Sequence, residues 1–171
     1  MQIQFNTYTM HLEDEPLDIG YASEKVGVKK EDGSISSIGG QNGKTQLIIS
    51  TPFIDDAFVN ELETLKASLP QNDESAITAS IVVANSEHVN PSVAPFNFYV
   101  DHDKAFGDFY GVRLADGPCS GELTKALFVV SKDGALFHDE IVPNLHTPFD
   151  ADKAYLKVVA ALNTYTGKGC H

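Results

Sequence analysis

Sulfur is scarce in this chain. Two cysteines, Cys119 and Cys170, stand in 171 residues, too few for the staples of a small secreted scaffold, though one bridge between them is left open. Basic charge is scarce as well: 12 Lys and Arg against 24 Asp and Glu give a formal net charge of −12. Nucleic-acid binding needs a basic patch to neutralise phosphates, so this balance argues against it, and anionic lipid surfaces should repel the chain. Long apolar runs are absent. ALFVV, residues 126–130, is of strand length, far below a bilayer span, and MQIQFNTYTMHL has no basic stretch followed by an apolar core, so the expected location is the cytoplasm, off the membrane. Repeats, low-complexity segments and linkers are missing too, which leaves one domain over residues 1–171 with a flexible tail at 164–171.

What remains is ordinary globular material, 42% apolar and 21% charged. Residues 2–12 alternate in polarity and predict one or two short edge strands, and KVGVKKEDGSISSIGG reads as a hairpin turning at Glu31-Asp32-Gly33. QLIIS, residues 46–50, is a continuous apolar run of the kind a central strand buried on both faces needs. Phe58, Leu62, Leu65 and Leu69 then recur at helical spacing, with Asp55 and Asp56 at the start and Pro70 as the stop. ITASIVVAN (77–85) and FNFYV (96–100) predict strands, and DKAFGDFYGV a brief helix broken near Gly107 or Gly111. ALFVVSKDGALFHDEIV predicts two strands around Lys132-Asp133-Gly134, and ADKAYLKVVAALNTYTG a last helix. Extra strands, then β-α-β, then a hairpin and a helix describe an α/β domain: a mixed central sheet covered by helices on both faces.

Motifs for metal or phosphate chemistry are weak. Asp101-His102-Asp103 and His138-Asp139-Glu140 contain good ligand types, but neighbours on a strand point to opposite faces, and no HxH, HExxH or CxxC spacing occurs, so no metal is expected. GGQNGKT, residues 39–45, precedes a strand rather than a helix and reads as a turn; no cofactor is implied.

One stretch is distinctive. Residues 109–142 carry Tyr110-Gly111-Val112, then Ala115-Asp116-Gly117-Pro118 and Gly121, then a strand, a turn and a second strand. This resembles the thiol peroxidase branch of the peroxiredoxins. Upstream, Pro52, Ile54 and Asp55 resemble that family's active-site entry, P-x-x-x-T-x-x-C. The resemblance runs from about residue 2 to the last helix, with a poor match at 86–98. It implies a thioredoxin-like fold with an N-terminal β-hairpin and a homodimer.

The same resemblance exposes what is lost. The threonine position holds Asp56, the cysteine position holds Val59, and the family's arginine is matched by Lys125; of these core positions only Pro52 is kept. The family's second cysteine belongs in a helix after the strand at 77–85, where this chain reads NSEHVNPSVAPFNF, with two prolines and no sulfur. Peroxide reduction needs a thiolate made acidic by a helix N-terminus and a nearby cation, and valine has no electrons to give. The expectation is a thiol-peroxidase-like protein without its peroxidatic cysteine, a binding or assembly module whose emptied pocket around Pro52, Asp56, Val59 and Lys125 takes a small polar ligand or a protein partner. Asp56 and Lys125 are natural candidates to pair across it. The alternative is an oxidoreductase with relocated sulfur, using Cys119 with Cys170 or a partner-chain thiol. Cys119 stands in ADGPCSG, whose composition predicts an exposed turn with a plain surface or interface thiol. Arg113, Lys125 and the loop amides are the groups that would acidify it. Cys170, in the terminal GKGCH, is the weaker candidate.

Overall fold

The computed structural model describes residues 1–70 and 76–163. Its main sheet has seven strands in the order β4-β3-β7-β6-β5-β8-β9: β3 (Val26–Lys29), β4 (Ile35–Ile38), β5 (Thr45–Ser50), β6 (Ile77–Val83), β7 (Phe96–Val100), β8 (Ala126–Val130) and β9 (Leu136–Ile141). The apolar run of β5 is buried at every residue because β6 pairs with it in parallel on one side and β8 antiparallel on the other, Ser50 facing both Val82 and Ala126. Strand alternation then divides the side chains between two cores. Leu47, Ile49, Ile81, Val83, Leu127 and Val129 point to the face covered by helices α1 (Asp56–Ser68) and α3 (Ala151–Asn163), where Phe58, Leu62, Leu65, Ala154 and Val158 meet them. Ile48, Val82, Phe128 and Val130 point to the other face, against Phe106 and Tyr110 of α2 (Ala105–Tyr110).

β1 (Gln2–Phe5) and β2 (Tyr8–His11) form a separate two-stranded hairpin. Its turn places Asn6 at φ +54°, a left-handed conformation that asparagine tolerates well. Beneath it lies a third apolar cluster: Ile3, Met10, Leu12, Leu114, Cys119 and Leu145.

Two elements end where local chemistry dictates. At the N-terminus of α1, Asp55 Oδ1 accepts a hydrogen bond from the Phe58 amide at 2.8 Å, satisfying a donor the helix cannot. Gly107, one of two expected break points, lies inside α2, where a Cβ would come within 2.6 Å of the Arg113 guanidinium; the helix runs on to Tyr110 and stops at Gly111, φ +73°. No helix among the described residues is long and apolar enough to cross a membrane. The expected tail at 164–171 lies outside the described residues.

On β9, His138 is buried, and its Nε2 has no hydrogen-bond partner among the described residues. Burial, reinforced by Lys157 and Lys153 of α3 and opposed by Asp150, holds the imidazole pKa below its usual value. The folded chain therefore binds the proton less readily than the unfolded chain, whose histidines titrate near ~6.5. His138 thus favours folding above that pH, and its contribution is lost as the pH falls through 6.5 toward the folded-state pKa. Chemical denaturation across this range should show stability declining with acidity, and His138→Leu should flatten that decline. An unchanged pH slope in the variant would assign the effect elsewhere.

Candidate functional site

The site lies at the carboxyl end of β5, where the chain turns into α1. Thr51 Oγ1 donates to the Phe53 carbonyl at 2.7 Å, folding the Thr51–Phe53 turn back on itself and presenting Pro52 and Phe53 at the rim of a cavity of about 360 Å³. Along α1, Ala57, Glu61 and Thr64 recur at helical spacing and face this cavity, and Lys125, His146 and Phe149 close the far side.

The polar centre of the cavity is a buried ion pair. Lys125 Nζ, on a residue 6% exposed, donates to Glu61 Oε2 at 2.6 Å and to the Thr147 carbonyl at 2.7 Å, and it stands 5.0 Å from the centre of the Phe149 ring. Glu61 Oε1 in turn accepts the Phe149 amide hydrogen. One carboxylate thus ties α1 to the segment leading into β8 and to the loop between β9 and α3. His146 Nε2 shares a hydrogen bond of 2.7 Å with Asn6 Oδ1, joining the rim to the N-terminal hairpin.

Two of the four residues expected around the pocket line this cavity, and two do not. Pro52 and Lys125 line it; Asp56 and Val59 do not. Asp56 is exposed in the first turn of α1, and no pair with Lys125 forms, because Glu61 has taken that place. Val59 is partly buried and packs against the core shared by α1 and α3, its amide already donating to the Asp55 carbonyl at 3.0 Å. No motif in the sequence around Glu61 marks it as a site residue. Its one signal is its spacing from Ala57 and Thr64, which puts an acid on the cavity-facing stripe of α1.

Cys119 also departs from expectation. It is 9% exposed, beneath the hairpin with Met10, Leu12 and Leu114, rather than on an open turn. Burial, with a contribution from the negative charge of Glu122, pushes its thiol pKa up. The cations that were to acidify it are engaged elsewhere. Arg113 pairs with Asp108 at 2.5 Å and donates to the Lys104 carbonyl at 2.7 Å, and Lys125 is held by Glu61. Cys170 lies outside the described residues.

The segment between β6 and β7 forms no helix. Its residues are pinned instead by side chains: His88 Nε2 pairs with Glu122 Oε1 at 2.7 Å, Asn85 Nδ2 donates to Glu122 Oε2 at 3.1 Å, and Asn90 Nδ2 donates to Glu31 Oε1 at 2.7 Å. Of the triplets weighed for metal, Asp101 spends its carboxylate on the amides of Phe106 and Gly107, at 2.8 and 2.9 Å, and Glu140 accepts the Asp150 amide at 3.0 Å. Among the described residues no three histidine, cysteine or carboxylate side chains converge as a metal site would need.

No family model matches the chain. It is 28% identical over 149 residues to the thiol peroxidase of Campylobacter jejuni, covering 82% of each protein, and 25% identical over 168 residues to that of Aquifex aeolicus, covering 88% of this chain and 96% of the other. Both of these relatives are named thiol peroxidases. Among solved structures, a peroxiredoxin-like protein from Aquifex aeolicus superposes with a TM-score of 0.78 at 20% identity, covering 94% of this chain and 96% of its own. The thiol peroxidase from Chromobacterium violaceum follows with a TM-score of 0.73 at 13% identity, covering 93% and 95%. The fold is thus thioredoxin-like, a mixed sheet between helices with an N-terminal hairpin.

Proposed function

We propose that this chain is a thiol-peroxidase-like protein that does not reduce peroxides, and that it serves in the cytoplasm as a homodimeric binding module through the cavity beside Lys125. The observation that carries this reading is the occupation of the reactive position. Where the resemblance puts a thiolate there is Val59, packed into the core, and the nearby cation is already neutralised by Glu61. A thiolate is the nucleophile in peroxide reduction, and a helix N-terminus with a nearby positive charge makes it abundant at neutral pH. The cavity keeps a size and a mixed lining suited to a small polar ligand.

Relocated sulfur is the reading this displaces. A thiol whose pKa is raised by burial is a poor nucleophile, and among the described residues the one charge that acts on Cys119 is the negative charge of Glu122. The test is hydrogen peroxide consumption by the full chain with dithiothreitol or thioredoxin as reductant, alongside mass spectrometry of Cys119 after mild peroxide treatment. The expected result is a rate equal to buffer and an unmodified thiol, unchanged in Cys119→Ser. Turnover well above buffer, or a sulfenic acid or disulfide at Cys119, would overturn the proposal.

A further inference from the structure

A second cavity, of about 550 Å³, opens at the carboxyl ends of β6 and β7, the edge of a parallel sheet at which open α/β folds commonly take up ligands. Its floor is apolar: Phe98 and Val100 of β7. Its rim is polar and cationic. Lys29 at the end of β3, Lys30 in the following turn, His88, His102 and Asn85 all line it. None of the ion pairs among the described residues uses Lys29 or Lys30.

The acids nearby are largely committed. Glu122 is bonded to His88 and Asn85, and Glu31, which also lines the groove, is bonded to Asn90. Asp32 is turned to Ser34, although it feels the charge of Lys30. The Asn90–Glu31 and His88–Glu122 contacts moor the loop between β6 and β7 at two points, so the groove exists before anything enters it. Preorganisation of this kind removes an ordering cost that binding would otherwise carry.

We infer that this groove binds a small organic anion, a phosphate or carboxylate head held by Lys29 and Lys30 with an apolar body laid on Phe98 and Val100. The overall charge of −12 limits the ligand to a small one, because a long polyanion would meet repulsion over the rest of the surface. The site is separate from the Lys125 cavity, and its failure would leave the reading of that cavity untouched.

Phenyl phosphate, benzoate and inorganic phosphate are suitable probes, titrated into the ¹⁵N-labelled full chain at constant ionic strength. Phenyl phosphate or benzoate should saturate with a dissociation constant of about 1 mM or tighter, shifting amides near residues 29–33, 85–90 and 102, with inorganic phosphate weaker by about tenfold. Which of the two aromatic probes binds more tightly identifies the preferred head group. Lys29→Gln/Lys30→Gln should weaken the better probe by about tenfold, while Lys153→Gln/Lys157→Gln on α3 leaves it unchanged. Shifts spread over lysines at large, no saturation by either aromatic probe, or equal loss in both double variants would overturn the assignment.

Discussion

Lys125→Met is expected to destabilise the fold by about 3–5 kcal/mol, as seen when one partner of a buried ion pair is removed. The reason is not the loss of attraction alone. Glu61 is nearly enclosed and would be left beside Phe149 without its cation, while the Thr147 carbonyl loses its donor. Removing both charges should be gentler: Glu61→Leu/Lys125→Met leaves only backbone groups short of partners and fills much of the vacated volume with apolar atoms. Urea unfolding of the wild type, both single variants and the double variant completes the cycle. The expected coupling is favourable, with the double variant more stable than the sum of the single losses predicts. A Lys125→Met loss below about 1 kcal/mol would mean that the pair behaves like an exposed one.

Gly111→Ala is the second substitution with a large expected effect. Gly111 ends α2 at φ +73°, a conformation that costs an L-residue about 1–2 kcal/mol by itself. Here the added Cβ would also overlap the Glu15 carbonyl oxygen and approach Pro16 Cα at 2.9 Å, both backbone atoms that cannot swing aside. The total should exceed about 2 kcal/mol. Gly121 supplies the control, since its φ of +85° is similar but a Cβ there would meet no atom within 4 Å. Gly121→Ala should therefore lose only the conformational part. Equal losses in the two variants would show that the close packing of the 15–16 segment on α2 contributes nothing.

Much of the architecture is written locally. Leu47, Ile48 and Ile49 in succession put apolar side chains on both faces of a strand, which suits the inside of a sheet covered on both sides, and β5 lies there. The stripe from Phe58 to Leu65 and the acids before it define α1 because capping and amphipathicity act within a few residues. The site is less legible, because its key pair joins residues far apart in sequence. Glu61 and Lys125 meet only after β5, β8 and α1 have assembled, whereas Asp56 looks like the natural partner on paper since it occupies the family's threonine position. Cys119 misleads in a related way. Glycine, proline and serine around it describe a turn, and the 115–121 segment does turn, with the Ser120 amide bonded to the Gly117 carbonyl. What no local pattern conveys is that a hairpin from the other end of the chain comes down on top of it.

That covering hairpin turns Cys119 into an internal gauge. The rate at which a thiol-specific label reaches its sulfur reports how often β1 and β2 lift away from Leu114 and Leu145. Comparing that rate with global unfolding would tell whether the N-terminal ribbon opens as a unit of its own or only when the whole sheet comes apart.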